Sequence, residues 1–526
     1  MAGSGRFARW DLGLALAALI AIGVALHQLF GDEVGIEREA LTIADTPATI
    51  YRPEAGQPGP VVLVSHGFAG SRPLMDPFAL TLAGNGYTVV SFDYLGHGRN
   101  PRPLHGDITA QDGAAQALVE QTERVADYAR AELMGEAEPM AVLGHSMASN
   151  IIVRFAQQRD DVVATVGVSM FAPTVDAETP ANVMSVVGGF ERRLQEEGQR
   201  VVAMAFAELE PEDVEFGRTY GDFGDGTARR IAVAPGVEHV GVLYSQVSLK
   251  EAVAWLDQAF ERDSDGWVAA RGPWVALLLA AVIALARPAA RLLPRVAVVG
   301  QGAGAGWRRL AVVAGVPALA TPLVLAPVPT DFLPVVIGDY VAIHFGVYGL
   351  LSTVLLWWTA GRPGVRDIAA AVGVSGRTGG RWLLGAAAVT AYCLVILGAV
   401  LDQFVTVFYP SIERLPLMLA MVAGTLPYFL ADEWLSRGQG MRRGAYAATK
   451  VLFLVSLGLA VALDPQGLFF LLLIVPVVVV FFAVYGLFSR WVYRHTGHPL
   501  VAGLANAVAF AWALGVTFPM LGGPAG

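Results

Sequence analysis

Only one cysteine, Cys393, stands in 526 residues, and charged residues make up just 15% of the chain. A lone cysteine excludes an intrachain disulfide and a zinc site built from cysteines, so cysteine use leaves the redox compartment open. Basic residues are scarce where charge is densest: between Asp32 and Asp265 there are 17 Lys and Arg against 36 Asp and Glu, a formal charge of −19. Such a segment offers no basic patch to neutralise phosphates, which excludes nucleic acid as an expected partner. No H-E-x-x-H or comparable cluster occurs, and no phosphate-cradling glycine loop or dinucleotide fingerprint. Neither a metal nor a cofactor is therefore expected.

Apolar residues are abundant, at 55% of the chain with a mean hydropathy of +0.52. They are unevenly placed. Leu12 to Phe30 forms one run long enough to cross a bilayer. It is long for a signal-peptide core, and HQLFGDE lacks a small-x-small cleavage site, so residues 1–31 are expected to be an uncleaved anchor. Residues 32–266 read as globular. Residues 267–526 hold eight further apolar runs, at about 267–286, 309–328, 339–360, 382–401, 415–435, 445–463, 468–488 and 499–519. Threading these alternately through a bilayer, with Arg6 and Arg9 in the cytoplasm, gathers 15 of the 17 basic residues after residue 266 on the cytoplasmic side. Only Arg271 and Arg414 fall outside. That bias predicts a multi-pass cell-membrane protein with a cytoplasmic N-terminus and an extracytoplasmic globular domain. Buried helices of a soluble protein do not account for GLFFLLLIVPVVVVFFAVYGLF.

Within 32–266, short β-rich runs alternate with helical patterns: VVLVSHG, a helix near Phe78–Gly84, YTVVSFDY, AAQALVEQTERVADYARAEL, then MAVLGHS. This alternation predicts βαβ units and a mainly parallel sheet flanked by helices. Ligands of such sheets bind beyond the carboxyl ends of the strands. Ser146 falls there, in GHSMA, between the strand Met140–Gly144 and a helix starting near Met147. A serine hydroxyl becomes a nucleophile when a sharp turn exposes it and a base lies within reach. Gly144 and Ala148 are small enough to permit that turn, although Ala148 departs from the G-x-S-x-G pattern. Upstream, His66-Gly67-Phe68 follows the strand VVLVS, so the backbone N–H groups of Phe68 and Met147 can form an oxyanion hole. His66 itself is expected to hold that loop.

VVLVSHGFAGSRPLMDPFALTLAGNGYTVVSFDYLGHGRN and GHSMASN together resemble the α/β-hydrolase-fold enzymes over about residues 40–262. That resemblance implies an α/β-hydrolase fold with a triad ordered Ser, acid, His. After Ser146, the globular segment has one histidine, His239, in a loop after the strand IAVAP, where the family places its general base. NVMSVVGGFE resembles the family's seventh strand and acid loop, which implies Glu191 as the acid. Asp176 is the next choice, and Asp222 and Asp225 are later ones. Asp93, His97 and His105 occupy a loop to which structural roles are assigned.

In the C-terminal half, ADEWLSRG and SRWVYRHTGHPLVAGLANAVAFAW resemble the CPBP (CAAX protease and bacteriocin-processing) membrane family, whose first motif is E-E-x-x-x-R. Asp432 replaces the first Glu, no histidine occurs between His344 and His495, and Asn506 stands near the place of a family histidine. The resemblance thus implies a degenerate relative that keeps the fold, with Glu433 and Arg437 as an internal ion pair.

The expected function is a membrane-embedded serine hydrolase that cleaves an ester, thioester or amide through an acyl-enzyme. Its expected partners are an acylated small molecule or lipid and the bilayer itself. Two other readings stay open: a transporter or receptor-like protein using the hydrolase domain as a binding module, and a CPBP-type intramembrane protease. The orientation is testable directly. Protease added outside intact cells is expected to cleave between Asp32 and Asp265, and protection of that segment would reverse the topology.

Overall fold

In the computed structural model, residues 2–55, 59–107, 113–135, 138–330, 332–373 and 376–522 are described, and the side chains of Arg6 and Arg377 fall outside this set. The chain forms two compact units. One comprises Gly23–Leu278, Leu401–Ser411 and Pro519–Gly526, and so takes in more than the segment 32–266 marked out by composition. The other comprises Met1–Ile22, Leu279–Val400 and Ile412–Phe518.

The first unit is built on a nine-stranded sheet. Its strands are β1 (Ile36–Ile43), β2 (Thr46–Pro53), β3 (Val61–Ser65), β4 (Thr88–Phe92), β5 (Met140–His145), β6 (Val162–Val168), β7 (Val183–Gly188), β8 (Thr219–Tyr220) and β9 (Arg229–Ala234). Their order across the sheet is β1-β2-β4-β3-β5-β6-β7-β9-β8. From β4 through β3, β5, β6 and β7 to β9 every pairing is parallel. β1, β2 and the short β8 pair antiparallel at the margins. The unbroken apolar run of β3 has a direct cause, because both faces of the sheet are covered. Val61 and Leu63 pack with Val90, Phe92 and Val142 against helices α3 (Ala114–Leu133) and α4 (Met147–Ala156). Val62 and Val64 point the other way, toward α2 (Arg72–Gly84) and α6 (Gln246–Ala259), with Phe78, Leu82, Leu249 and Trp255. Alternation along one strand thus feeds two cores.

α2 begins at Arg72, not near Phe78 as its apolar periodicity predicts. Pro73 lies in the first turn, where a missing N–H breaks no helical bond, and the helix continues through Pro77, which lies inside it. α5 (Arg192–Ala203) follows β7 directly, with Glu191 as its N-terminal flanking residue.

Among the described residues, nine helices are long and apolar enough to cross a membrane: Arg9–Gly31, Arg271–Leu292, Trp307–Leu325, Gly338–Thr359, Thr378–Phe404, Ile412–Leu435, Ala445–Leu463, Phe469–Thr496 and Pro499–Thr517. Each coincides with one of the nine apolar runs, which supports a membrane-associated protein. The apolar run near 468–488 continues as helix to Thr496 and stops at Gly497, whose φ of 72° is the left-handed cap that glycine accepts without strain. In the second unit, the helix Leu415–Leu435 packs on Gly338–Thr359 and on Pro499–Thr517. A Cβ on Gly349 would come within 2.2 Å of the Tyr428 nitrogen, and one on Gly424 within 2.2 Å of the Ala342 oxygen. Glycine lets these backbones meet, the usual packing of helices without a water-driven core. Glu433 accepts from Arg437 Nε at 3.0 Å, forming the internal ion pair, and the carboxylate of Asp432 pairs with Lys450. Asn506 donates to Ser489 Oγ at 2.8 Å. These pairings offset the cost of holding charged and polar side chains in a low-dielectric setting.

Candidate active site

Ser146 sits at the reversal between β5 and α4 with φ 55° and ψ −117°. This is a strained conformation for a residue with a Cβ, of order 1–3 kcal/mol, and it persists only where the surroundings enforce it. They do so closely. A Cβ on Gly144 would lie 2.9 Å from the backbone carbon and oxygen of Ala148, so strand and helix cross with room for hydrogen alone. Ala148, wholly buried, is small enough to serve at the fifth position of the motif. The Ser146 N–H donates to the Val168 carbonyl at 2.8 Å, and Ser149 Oγ donates to the Ser146 carbonyl at 2.5 Å. The turn is therefore pinned on both sides of its peptide.

The sheet order brings three distant residues together. His239, in the loop after β9, places Nε2 2.8 Å from Ser146 Oγ. Its Nδ1 lies 2.5 Å from Glu191 Oε1. With Glu191 ionised, Nδ1–H donates to the carboxylate and Nε2 accepts from the serine hydroxyl. The Glu191 side chain is 7% exposed and that of His239 is 44% exposed, so the acid is shielded while the imidazole faces incoming molecules. The other Glu191 oxygen accepts from Ser169 Oγ at 2.7 Å and from the Gly188 N–H at 2.6 Å. Burial opposes the charge on Glu191, but the bonds from His239, Ser169 and Gly188 outweigh it and hold the carboxyl below its ordinary range.

The remaining candidate acids are occupied elsewhere. Asp176 accepts from the Glu178 and Thr179 N–H groups and the Thr179 hydroxyl in an exposed turn. Asp222 caps Gly224, and Asp225 binds Thr227. Asp93 is fully buried and accepts from the Arg72 backbone and guanidinium and from the Arg99 N–H. His97 Nδ1 bonds the Leu95 carbonyl, and His105 is exposed.

Around the serine, His66 is wholly buried, accepts from the Tyr94 N–H at 3.1 Å and donates to the Gly67 carbonyl at 2.8 Å. Burial depresses its pKa, so it stays neutral and structural. A Cβ on Gly67 would meet the His145 oxygen at 2.9 Å and Ser146 Cβ at 3.0 Å, which shows how closely the 66–70 loop approaches the serine turn. Phe68 follows within that loop, and Met147 opens α4, where first-turn N–H groups have no helical acceptor. Two supports escaped the sequence reading. His145 donates from Nε2 to the His239 carbonyl at 2.9 Å, and burial beside His239 pushes its pKa down to about 3, keeping it neutral. It was visible only as the variable residue of GHSMA. Ser169, at φ 49°, gave no signal beyond its place at the end of a strand. Among the described residues no group of His, Cys, Asp and Glu is arranged to hold a metal ion.

Residues 56–211 match the family described as Serine aminopeptidase, S33. This part of the chain has an α/β-hydrolase fold. Two uncharacterised proteins, from two strains of Mycobacterium tuberculosis, are each 40% identical over 106 residues, which is 20% of this chain and 34% of theirs. The chain thus spans about a third of the length of the curated relatives it matches. Among solved structures, a dienelactone hydrolase from Anabaena variabilis is 15% identical, covering 42% of this chain and 97% of its own with a TM-score of 0.31. An epoxide hydrolase mutant of Vigna radiata is 20% identical, covering 27% and 41%, with a TM-score of 0.22. Similarities this low do not bear on function.

Replacing Glu191 by Gln keeps its shape but removes the charge that orients Nδ1–H. The expected result is a fall in kcat of roughly a thousandfold or more, measured on a chromogenic ester, with the protein still folded. Ser169→Ala removes one bond to the same carboxylate and is expected to lower kcat by about tenfold.

Proposed function

We propose that this protein is a membrane-anchored serine hydrolase that works through an acyl-enzyme. The observation that carries the reading is the continuous hydrogen-bonded line Ser146–His239–Glu191, at 2.8 and 2.5 Å, on a serine held at positive φ. Ser146 Oγ attacks the carbonyl carbon of an ester, thioester or amide while its proton passes to His239 Nε2. The imidazolium so formed is stabilised by Glu191 through Nδ1–H. The negative oxygen of the tetrahedral intermediate is received by the Phe68 and Met147 N–H groups, each such donor being worth roughly 3 kcal/mol. Collapse expels the leaving group with the proton from Nε2. Water, activated by the same imidazole, then releases the acyl group and restores the serine.

A binding module has no need of a strained serine with a poised base, and this favours the enzyme over the receptor-like reading. The surroundings of the site favour an apolar acyl group. Phe171, Phe190 and Val240 are 58%, 74% and 45% exposed and lie on the loops after β6, β7 and β9, the last two beside Glu191 and His239 in the chain. Together with the nine apolar helices, this supports a lipid or an envelope-linked acylated substrate met at the extracytoplasmic face.

Activity-based labelling tests the reading. The folded wild-type protein is expected to take up a fluorophosphonate probe, and Ser146→Ala is expected to lose all labelling. Equal labelling of both, or none of the wild type, would sink the proposal.

A further inference from the structure

Residues 401–411, LDQFVTVFYPS, belong to the same compact unit as the hydrolase sheet although more than 300 positions separate them from the loop they touch. They reach Ser71, in the segment between Gly67 and Arg72, and Arg99, farther along the chain. Ser71, 1% exposed, precedes α2, where a serine hydroxyl ordinarily caps its own helix. Here it makes no such cap. The hydroxyl instead accepts from the Val407 N–H at 2.8 Å and lies 2.8 Å from Thr406 Oγ1. Val407 and Phe408 are both 2% exposed, so the strap is seated and dry.

A second attachment runs through Asp402. One carboxylate oxygen accepts from the Phe408 and Tyr409 N–H groups at 2.8 and 2.9 Å, folding the strap back on itself. The other accepts from Arg99 Nη2 at 2.6 Å. The Arg99 backbone N–H in turn donates to Asp93, the carboxylate that also holds the Arg72 backbone and guanidinium. Behind the strap, the Arg271 guanidinium lies 5.6 Å from the Phe404 ring centre, and Phe30 meets the same ring edge-on. Pro519–Gly522 adds a backbone clamp on the adjoining loop. Met520 donates to the Gly96 carbonyl and accepts from the Leu104 N–H, and Gly522 donates to the Leu104 carbonyl.

The loop bearing Phe68 is thus tied at one end by His66 to Tyr94, in the loop after β4, and at the other by Ser71 to the strap. We infer that residues 401–411 are a positioning element of the active site: through Ser71 and Arg99 they hold the Phe68 N–H where the oxyanion forms, so that segment 32–266 alone lacks part of its catalytic geometry. This rests on the serine-hydrolase reading above. Oxyanion donors act through placement set before reaction, and a displacement of about 1 Å costs about a hundredfold in rate.

The test uses the full-length protein in detergent. Thr406→Val and Asp402→Ala are expected to lower kcat on a soluble ester by about tenfold to a hundredfold, with KM moving less than about twofold and the melting temperature kept. Asp402→Asn, which retains an acceptor for the strap, is expected to recover part of the loss. Wild-type kcat in both Thr406→Val and Asp402→Ala would overturn the inference, as would a loss of activity matched by an equal loss of folded protein. If Asp402→Ala does not fold, the near-isosteric Thr406→Val decides. A wild type that neither reacts with fluorophosphonate nor turns over ester overturns the hydrolase reading and this inference together. A wild type that reacts, with strap variants that react as fast, overturns this inference alone.

Discussion

Everything at the site depends on one chain reversal, in which β5 passes through Ser146 at positive φ and becomes α4. A backbone in that conformation relaxes unless it is clamped, and the clamps are steric. Gly144 and Ala148 let strand and helix cross at a separation that no side chain on Gly144 would allow. Gly67 brings the neighbouring loop against the same turn. The serine hydroxyl is exposed to a base as a consequence of how closely those backbones pack.

The strand order converts this local constraint into a constellation. β5, β6, β7 and β9 are parallel neighbours, so their carboxyl ends lie along one edge. Ser146, Ser169, Glu191 and His239 follow those four strands in turn. The sheet therefore sets the spacing, and hydrogen bonds from Ser169, Gly188 and His145 set the final orientation. A flexible imidazole held only by its own loop would lose much of its reactivity to rotational freedom. Here its ring is fixed through Nδ1 and its backbone through the carbonyl.

The helical half follows a different physical rule. Its helices are apolar around most of their surface, and glycine and alanine at their crossings bring backbones together. Among its buried charges, Asp432 pairs with Lys450 and Glu433 with Arg437. Arg437 also lies 5.4 Å from the Tyr446 ring centre, a further attraction for a cation held away from water.

Much was legible in the sequence because it was written in local patterns. Short β-rich runs such as VVLVS marked the strands, runs of about 20 apolar residues marked the membrane-length helices, and GHSMA marked Ser146. His239 was legible by elimination and Glu191 through family likeness. What remained hidden involved groups far apart in the chain. The choice of Glu191 over Asp176, Asp222 and Asp225 required knowing which carboxylate ends beside the imidazole, a fact of sheet order and loop path. His145 and Ser169 carry no motif because their roles exist only in contact with His239 and Glu191. The seating of residues 401–411 against Ser71 and Arg99 was the least visible, since hydrogen bonds between segments 300 residues apart leave no periodicity to read. Composition and spacing determined the elements and the place of Ser146 between a strand and a helix; the tertiary structure decided which side chains meet, because direction and distance arise only when the elements pack.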